Sequence, residues 1–408
     1  MKIVHAADLH VDSALRGLER YDGAPTERVR DATRTALVKL VDLCVEERAS
    51  LLLLAGDVFD GTWRDYNTGL FFVSQLGRLR DLGARVALIR GNHDAASSVV
   101  KNLRWPEHVR ELASSAPETV LYEDLGVAVH GQSFATRAVT EDLARRYPAP
   151  LPGLLNVGLL HTALDGRPGH DPYAPTQLAT LSSTGYDYWA LGHVHEREVL
   201  ASDPWIVFPG NLQGRHARET GPKGATVVTV DEGRVRTVEH RVLDVVRWSQ
   251  IHVEHEDAAS IDDAAERAIE AITGTADAAD GRILAARVHL RVDPARGAAL
   301  FRDPDRLTAE IRRAALDRHG EDVYVERVLL APAARATAGG GLSALASGAV
   351  DDATLAALEG ELAELRRKLP RDLVEGADRL DLTIEGLRAL VPEAEALLAA
   401  RLEGSDEA

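Results

Sequence analysis

Short, largely apolar runs alternate with amphipathic stretches through the first hundred residues. Residues 2–7, 51–55 and 86–89 have the length and composition of strands buried on both faces. Between the first two, Val29, Ala32, Ala36, Leu40 and Cys44 recur at three- and four-residue spacing. That stripe predicts a helix, N-capped by Thr26 after Pro25. A second helix is predicted over residues 69–82, stopping before Gly83. Such alternation to about residue 110 predicts βαβ units in a parallel sheet. Residues 155–160 and 186–191 add apolar strands, and residues 118–135 read as a strand pair around Leu125-Gly126. Residues 197–241 read as several short strands that complete a second sheet.

The pattern shifts near Val245. Strands at 251–253, 283–292 and 323–330 enclose helices at 261–272 and 304–318, a βαβαβ run of about 85 residues. This divides the chain into a first domain, residues 1–245, a small α+β module, residues 246–335, and a remainder, residues 336–408. The module either stands alone or extends the first core. Ala338-Gly339-Gly340-Gly341 has the composition of a linker. Helical patterns follow at 351–368, 375–390 and 392–402, with Leu355, Leu358, Leu362, Leu365 and Leu369 on one stripe. The stripe needs an apolar surface to cover it, on another protein or on this chain.

Five of the apolar strands of the first domain end in residues with metal-ligand chemistry. The blocks are Asp8-Leu9-His10, Gly56-Asp57-Val58-Phe59-Asp60, Gly91-Asn92-His93-Asp94, His161 and Gly192-His193-Val194-His195. In an extended chain residues i and i+2 face the same way, so Asp8 and His10 can meet one cation, and His193 and His195 repeat that spacing. The candidate ligands are Asp8, His10, Asp57, Asn92, His161, His193 and His195. Imidazole, carboxylate and amide oxygen without thiolate suit Mn, Fe or Zn better than Ca or Cu(I). Seven ligands exceed one tetrahedral site and suit two divalent cations ~3.5–4 Å apart, the arrangement for in-line displacement at phosphorus. Asp57 is the candidate bridge. Taken singly, Asp-x-His, a Gly-Asn turn or a buried histidine is ordinary; their joint order at strand ends points to a site.

These blocks resemble the calcineurin-like metallophosphoesterases, whose pattern is D-x-H, G-D-x-x-D, G-N-H-D/E, H and G-H-x-H, over residues 1 to about 216. The resemblance implies a four-layer α/β/β/α sandwich with the site at strand C-termini. It also implies that His93 is a catalytic, non-ligand histidine that serves the leaving oxygen, oriented by Asp60. Asp60-Gly61-Thr62 and Asp94-Ala95-Ala96 depart from the protein phosphatases of the family, and Asp60 stands where purple acid phosphatases have Tyr. The opening decapeptide, Ala55-Gly56-Asp57-Val58-Phe59-Asp60 and the stretch 209–224 are instead similar to the SbcD-type DNA repair nucleases, the last to their shorter YhaO-like branch. Many archaeal and eukaryotic members have His where this chain has Asp60, so no role of that histidine transfers.

That resemblance implies a metal-dependent DNA exonuclease, with endonuclease activity as well, that hydrolyses phosphodiesters with a metal-activated water. It implies Mn, a homodimer, a module 246–335 that caps the site, and C-terminal helices that dock on an SbcC-like coiled-coil ABC ATPase. The alternatives are a cyclic or small-nucleotide phosphodiesterase and a non-catalytic scaffold regulating the ATPase. Arg64, Arg90 and Arg215, with Arg218 and Lys223, are candidate holders of DNA phosphates, or else surface ion pairs.

Charge and composition set bounds on this. The net charge of -17 is unusual for a DNA enzyme, but residues 336–408 carry 7 basic and 15 acidic side chains, outside the proposed catalytic part. One cysteine, Cys44, allows no intrachain disulfide. No apolar run approaches the ~18 residues of a membrane span. The first strand begins at Lys2, leaving no room for a signal peptide, so a cytoplasmic protein is expected.

Overall fold

The computed structural model describes residues 1–13, 15, 25–60, 66–97, 103–164, 173–293 and 296–333, together with 358, 361–365, 367, 368, 383, 385, 386 and 388. In chain order the first part comprises β1 (Lys2–Ala6), α1 (Thr26–Arg30), α2 (Ala32–Glu46), β2 (Leu51–Ala55), α3 (Tyr66–Gly77), β3 (Arg85–Ile89), α4 (Asn92–Ala96) and β4 (Val109–Glu111). It continues with β5 (Glu118–Tyr122), β6 (Val127–Gly131), β7 (Leu155–His161), α5 (Leu178–Ser183), β8 (Tyr188–Gly192), β9 (Glu198–Ser202), β10 (Trp205–Phe208), β11 (Gly224–Asp231) and β12 (Arg234–Val242). The second part comprises β13 (Val246–Glu254), α6 (Ile261–Asp277), β14 (Ile283–Val292), α7 (Ala298–Arg302), α8 (Pro304–His319) and β15 (Val323–Pro332).

Two six-stranded sheets form the first part, in the orders β12-β11-β1-β2-β3-β4 and β5-β6-β7-β8-β10-β9. The strands β1 to β4 run parallel, as do β6, β7, β8 and β10. The period of two along each strand divides its side chains between two cores. In β2, Leu51, Leu53 and Ala55 belong to the core between the sheets, with Val127 and Val129 of β6, Leu155, Val157 and Leu159 of β7, and Tyr188 of β8. Leu52 and Leu54 of β2 point the other way, onto Ala36, Leu37 and Leu40 of α2 and Phe72 of α3. On the far side of the second sheet, Leu160, Trp189 and Leu191 pack with Tyr147 and with Leu181 of α5. The layers are therefore α/β/β/α, and both faces of the central strands are covered.

Several expectations change at this level. The predicted first helix is two, α1 and α2, meeting at Asp31 (φ -88°, ψ 3°), and Thr26 is the first helical residue, not a cap. The second stops at Gly77, after which Arg78, Leu79 and Arg80 donate to the carbonyls of Gln75, Leu76 and Gly77 in tighter turns. The strands within 197–241 do not all complete the second sheet. Only β9 and β10 join it; β11 pairs antiparallel with β1 and carries β12 to the edge of the first. Mostly buried along its length, β11 has no exposed face whose polarity would reveal its neighbour.

The described residues up to Arg247, Pro25 apart, form one compact unit and those from Trp248 belong to a second. The second has a three-stranded sheet, β13-β14-β15, with β14 and β15 parallel. Its core joins Ile251, Val253, Ile269, Ile272, Leu284, Val288, Leu307, Ile311 and Val325, and among the described residues none before Ile251 belongs to it. Ser260 caps α6 by accepting from the Asp263 N–H at 3.1 Å, and Asp303 caps α8 by accepting from that of Arg306. The short α7 was not expected from the sequence. Within 336–408 the described residues 361–365 are helical, with Leu358 and Leu365 exposed; Leu355 and Leu369 of the predicted leucine stripe lie outside the described residues. Cys44 is buried in α2. Among the described residues no helix is long and apolar enough to cross a membrane.

One buried group of the sandwich has a measurable consequence. His5 in β1 donates from Nε2 to the Leu191 carbonyl at 3.1 Å and accepts the Tyr188 hydroxyl at Nδ1, 3.0 Å away. Burial lowers its pKa from 6.5 to about 3. The unfolded chain gains a proton as pH falls through 6.5, while the native chain does not until about 3, so stability is lost across that window. Between about pH 7 and pH 5 this one group removes about 2 kcal/mol. In urea unfolding of metal-free protein, His5→Gln is expected to lose about that much less on acidification than the parent chain. An equal acid loss in both would remove His5 from the cause.

Candidate metal centre

The strand ends deliver the site residues, but not by extended backbone. Asp8, His10, Asp57 and His193 all take positive φ, at 51°, 43°, 53° and 102°. Such conformations cost about 1 kcal/mol or more each for a non-glycine residue and cluster where function needs them. The loop after β1 is held against the loop after β2: Asp8 N–H donates to Gly56 O, His10 N–H to Asp57 O and Val11 N–H to Val58 O. Asp94 locks the second loop, its carboxylate accepting from the N–H groups of Val58, Phe59 and Gly91. Burial first, then the charge of Asp57, raises the Asp94 pKa to about 7. Two glycines are needed for close approach. A Cβ on Gly91 would stand 2.3 Å from Asp57 Oδ1, and one on Gly56, at φ 90°, would stand 2.7 Å from His161 Nδ1.

The ligand candidates fall into two groups. Asp8, His10 and His195 offer atoms within 4.8 Å of one another, and so do Asp57, His161 and His193. His193 and His195 thus divide between groups, contrary to the same-face expectation, because the chain leaves the extended conformation at His193. Asp57 is grouped with His161 and His193.

Hydrogen bonds fix what these atoms can do. His10 Nδ1 lies 2.9 Å from Asp60 Oδ1 and His195 Nδ1 lies 2.6 Å from Glu219 Oε1. A carboxylate accepts, so both Nδ1 atoms carry a proton, and in the neutral rings that a cation binds both Nε2 atoms are lone pairs. Yet the two Nε2 atoms face each other at 3.4 Å, with Asp8 Oδ1 3.8 Å from that of His195. Asp8 Oδ1 is buried and has no hydrogen-bond partner. In the second group His161 Nδ1 donates to Ala55 O at 2.9 Å. Its Nε2 lone pair then faces Asn92 Oδ1 at 2.9 Å and Asp57 Oδ2 at 3.5 Å. Converging lone pairs with no proton between them repel unless a cation sits among them. The residues therefore fit two divalent cations, by the chemistry of their donor sets.

The charges agree with that reading. Burial and the Asp57 charge push the Asp8 carboxyl well above the usual carboxylate range. Around Asp57 the imidazoles of His161, His93, His10 and His193 outweigh burial and hold it down, to about 2. Burial and the Arg215 guanidinium lower His10 to about 3, which keeps it a neutral donor.

His93 is in neither of those two sets, but with His10 and Asp60 it forms a third whose atoms lie within 4.8 Å of one another, and its side chain is 35% exposed. Its Nδ1 is 3.2 Å from Asp60 Oδ1. Burial pushes the imidazole down, but the hydrogen bond to Asp60 and the charges of Asp57 and Asp60 prevail, so its pKa lies above 6.5. Asp60 serves more partners than the sequence suggested. The same Oδ1 takes His10 at 2.9 Å and approaches Arg215 Nη1 at 3.4 Å. The bonds from His10 and His93 overcome burial and hold the Asp60 carboxyl well below its usual range.

Of the proposed phosphate holders, Arg215 turns inward onto Asp60 and Glu219, and Arg90 pairs with Glu111 at 3.0 Å. Each finds a carboxylate within reach in a partly buried setting. Lys223 donates to His195 O at 2.8 Å. Arg64 lies outside the described residues. Glu219 was missed altogether. Its Oε2 accepts from Asn211 Nδ2 and the Arg215 N–H, and against burial its interactions with His195 and Arg215 hold it well below the usual range.

Residues 1–197 match the model of the calcineurin-like phosphoesterases, and residues 248–332 match that of the middle domain of the metallophosphoesterase YhaO. A curated protein of Bacillus subtilis (strain 168), described as an uncharacterized metallophosphoesterase YhaO, is 37% identical over 258 residues, covering 62% of this chain and 63% of the relative's length. Two solved structures show lower similarity. A Thermus thermophilus protein is 11% identical, with TM-score 0.33, covering 59% of this chain and 98% of its own. A dimetal phosphatase from Danio rerio is 13% identical, with TM-score 0.34, covering 56% of this chain and 92% of its own.

Proposed function

Starting from the calcineurin-like, metal-dependent phosphoesterase domain formed by residues 1–197, we propose that this chain hydrolyses phosphodiester bonds in DNA as a repair nuclease. The observation that carries the reading is the convergence of the His10 and His195 lone pairs with Asp8, and of the His161 lone pair with Asp57 and Asn92, beside a histidine that belongs to neither group. Asp8, His10 and His195 would hold one cation and Asp57, Asn92, His161 and His193 the other, with Asp57 proposed as the bridge. Cations bound there, most suitably Mn, supply a water activated for attack and neutralise charge on the phosphoryl oxygens.

The chain's own residues do the rest. Asp57 Oδ1 accepts the His93 N–H at 2.9 Å, which fixes the histidine's backbone relative to the ligands. Asp60 holds the His93 proton at Nδ1, so that the protonated ring presents Nε2–H to the substrate. As the attacking water gives up a proton to solvent and bonds to phosphorus, and the ester P–O bond breaks, the Nε2 proton of His93 passes to the leaving oxygen. Asp60 then stabilises the ring's orientation in its neutral form.

DNA as substrate is supported by the local likeness of the strand-end blocks to the SbcD-type nucleases. An SbcC-like ATPase is the proposed partner for the C-terminal helices, where Leu358 and Leu365 are exposed, and a homodimer is the proposed assembly. The test is an assay with Mn across an end-labelled duplex, a labelled single strand, a cyclic nucleotide and bis-p-nitrophenyl phosphate. Cleavage of a DNA strand and of the synthetic diester is expected. Hydrolysis of the cyclic nucleotide with DNA untouched would replace this reading with that of a small-nucleotide phosphodiesterase.

A further inference from the structure

The imidazoles of the two groups are backed unequally. Behind His10 stands the carboxylate of Asp60, and behind His195 that of Glu219, at 2.9 and 2.6 Å. Behind His161 stands only a neutral carbonyl, that of Ala55. Arg215 spans the two backing carboxylates, with Nη1 3.4 Å from Asp60 Oδ1 and Nη2 3.8 Å from Glu219 Oε1. A carboxylate behind a ligating imidazole fixes its tautomer and raises its basicity towards a cation.

We propose that Glu219 is a positioning residue that holds His195 in its metal-binding tautomer and sets the affinity of the Asp8, His10 and His195 group for a divalent cation. This rests on the two-cation reading above. The placement of Glu219 suits that role. Its side chain is buried, Oε1 is nearest His195 at 2.6 Å with His216 Nε2 at 3.5 Å, and Oε2 is anchored by Asn211 Nδ2 at 2.9 Å and the Arg215 N–H at 2.6 Å. The chain separation from His195 is 24 residues, so the contact exists only in the folded loop. The competing explanation is that Glu219 merely closes that loop through Oε2. The two differ in which property a substitution moves.

The experiment is calorimetric titration of full-length, chelator-stripped protein with Mn²⁺. For Glu219→Gln, one of two equivalents is expected to weaken by about 10–100-fold while the other keeps its affinity. Asn211→Ala, which removes a loop bond but not the contact to His195, should leave both equivalents nearly unchanged. In a His195→Ala background, Glu219→Gln should add no further loss, since the partner it acts through is gone. Equal weakening of both equivalents, a full additional loss in the His195→Ala background, or no effect at all would overturn the proposal. A parent protein that binds no Mn²⁺ would overturn the two-cation reading itself, and this inference with it.

Discussion

Asp57→Asn is expected to abolish phosphodiester hydrolysis and to leave at most one cation bound per chain. The substitution keeps the volume and the acceptor for the His93 N–H, a 2.9 Å bond, so the loop should still close. What it removes is one of only two carboxylate charges among the ligands, on a side chain that is 2% exposed. Water cannot replace that charge at such a depth, and loss of a partner merely behind a ligand already costs about 10–100-fold. A loss of at least ~10²-fold in hydrolysis is the minimum expected. Elemental analysis beside an activity assay is the check: two cations retained in the variant would take Asp57 out of the coordination shell.

His93→Ala is expected to behave differently, retaining both cations and losing hydrolysis by ~10²–10⁴-fold on substrates with a poor leaving group. The histidine shares a set with His10 and Asp60 rather than with the other ligands, and its hydrogen bond to Asp60 raises its pKa above the ordinary value. On a nitrophenyl diester the loss should shrink, because nitrophenolate departs with little help from a proton. An equal loss on both kinds of substrate would mean that His93 stabilises charge or positions the phosphate.

The strand-end chemistry was legible because residue type and strand context coincide: Asp8 follows β1, Asp57 follows β2, Asn92 follows β3, His161 closes β7 and His193 follows β8. The four layers came from the resemblance to the calcineurin-like phosphoesterases; the apolar runs by themselves indicated only buried strands. The geometry was less legible. Alternation along an extended chain paired His193 with His195, whereas a left-handed turn at His193 sends them to different groups. Glu219 carried no local mark, since a lone glutamate in a polar stretch gains meaning only when His195 is folded against it. Arg215 looked like a phosphate holder because arginine near a catalytic block suggests one; in the fold it has two carboxylates to satisfy first. The sheet that β11 joins was hidden for a related reason, since strands covered on both faces read alike wherever they pair.

Stepwise addition of Mn²⁺ to chelator-stripped protein, with bound metal and hydrolysis of bis-p-nitrophenyl phosphate followed in the same samples, tests the two-cation centre most directly. Hydrolysis should stay low through the first equivalent, rise with the second and level off at two cations per chain. Full activity at one equivalent or fewer, or activity without any bound cation, would contradict it.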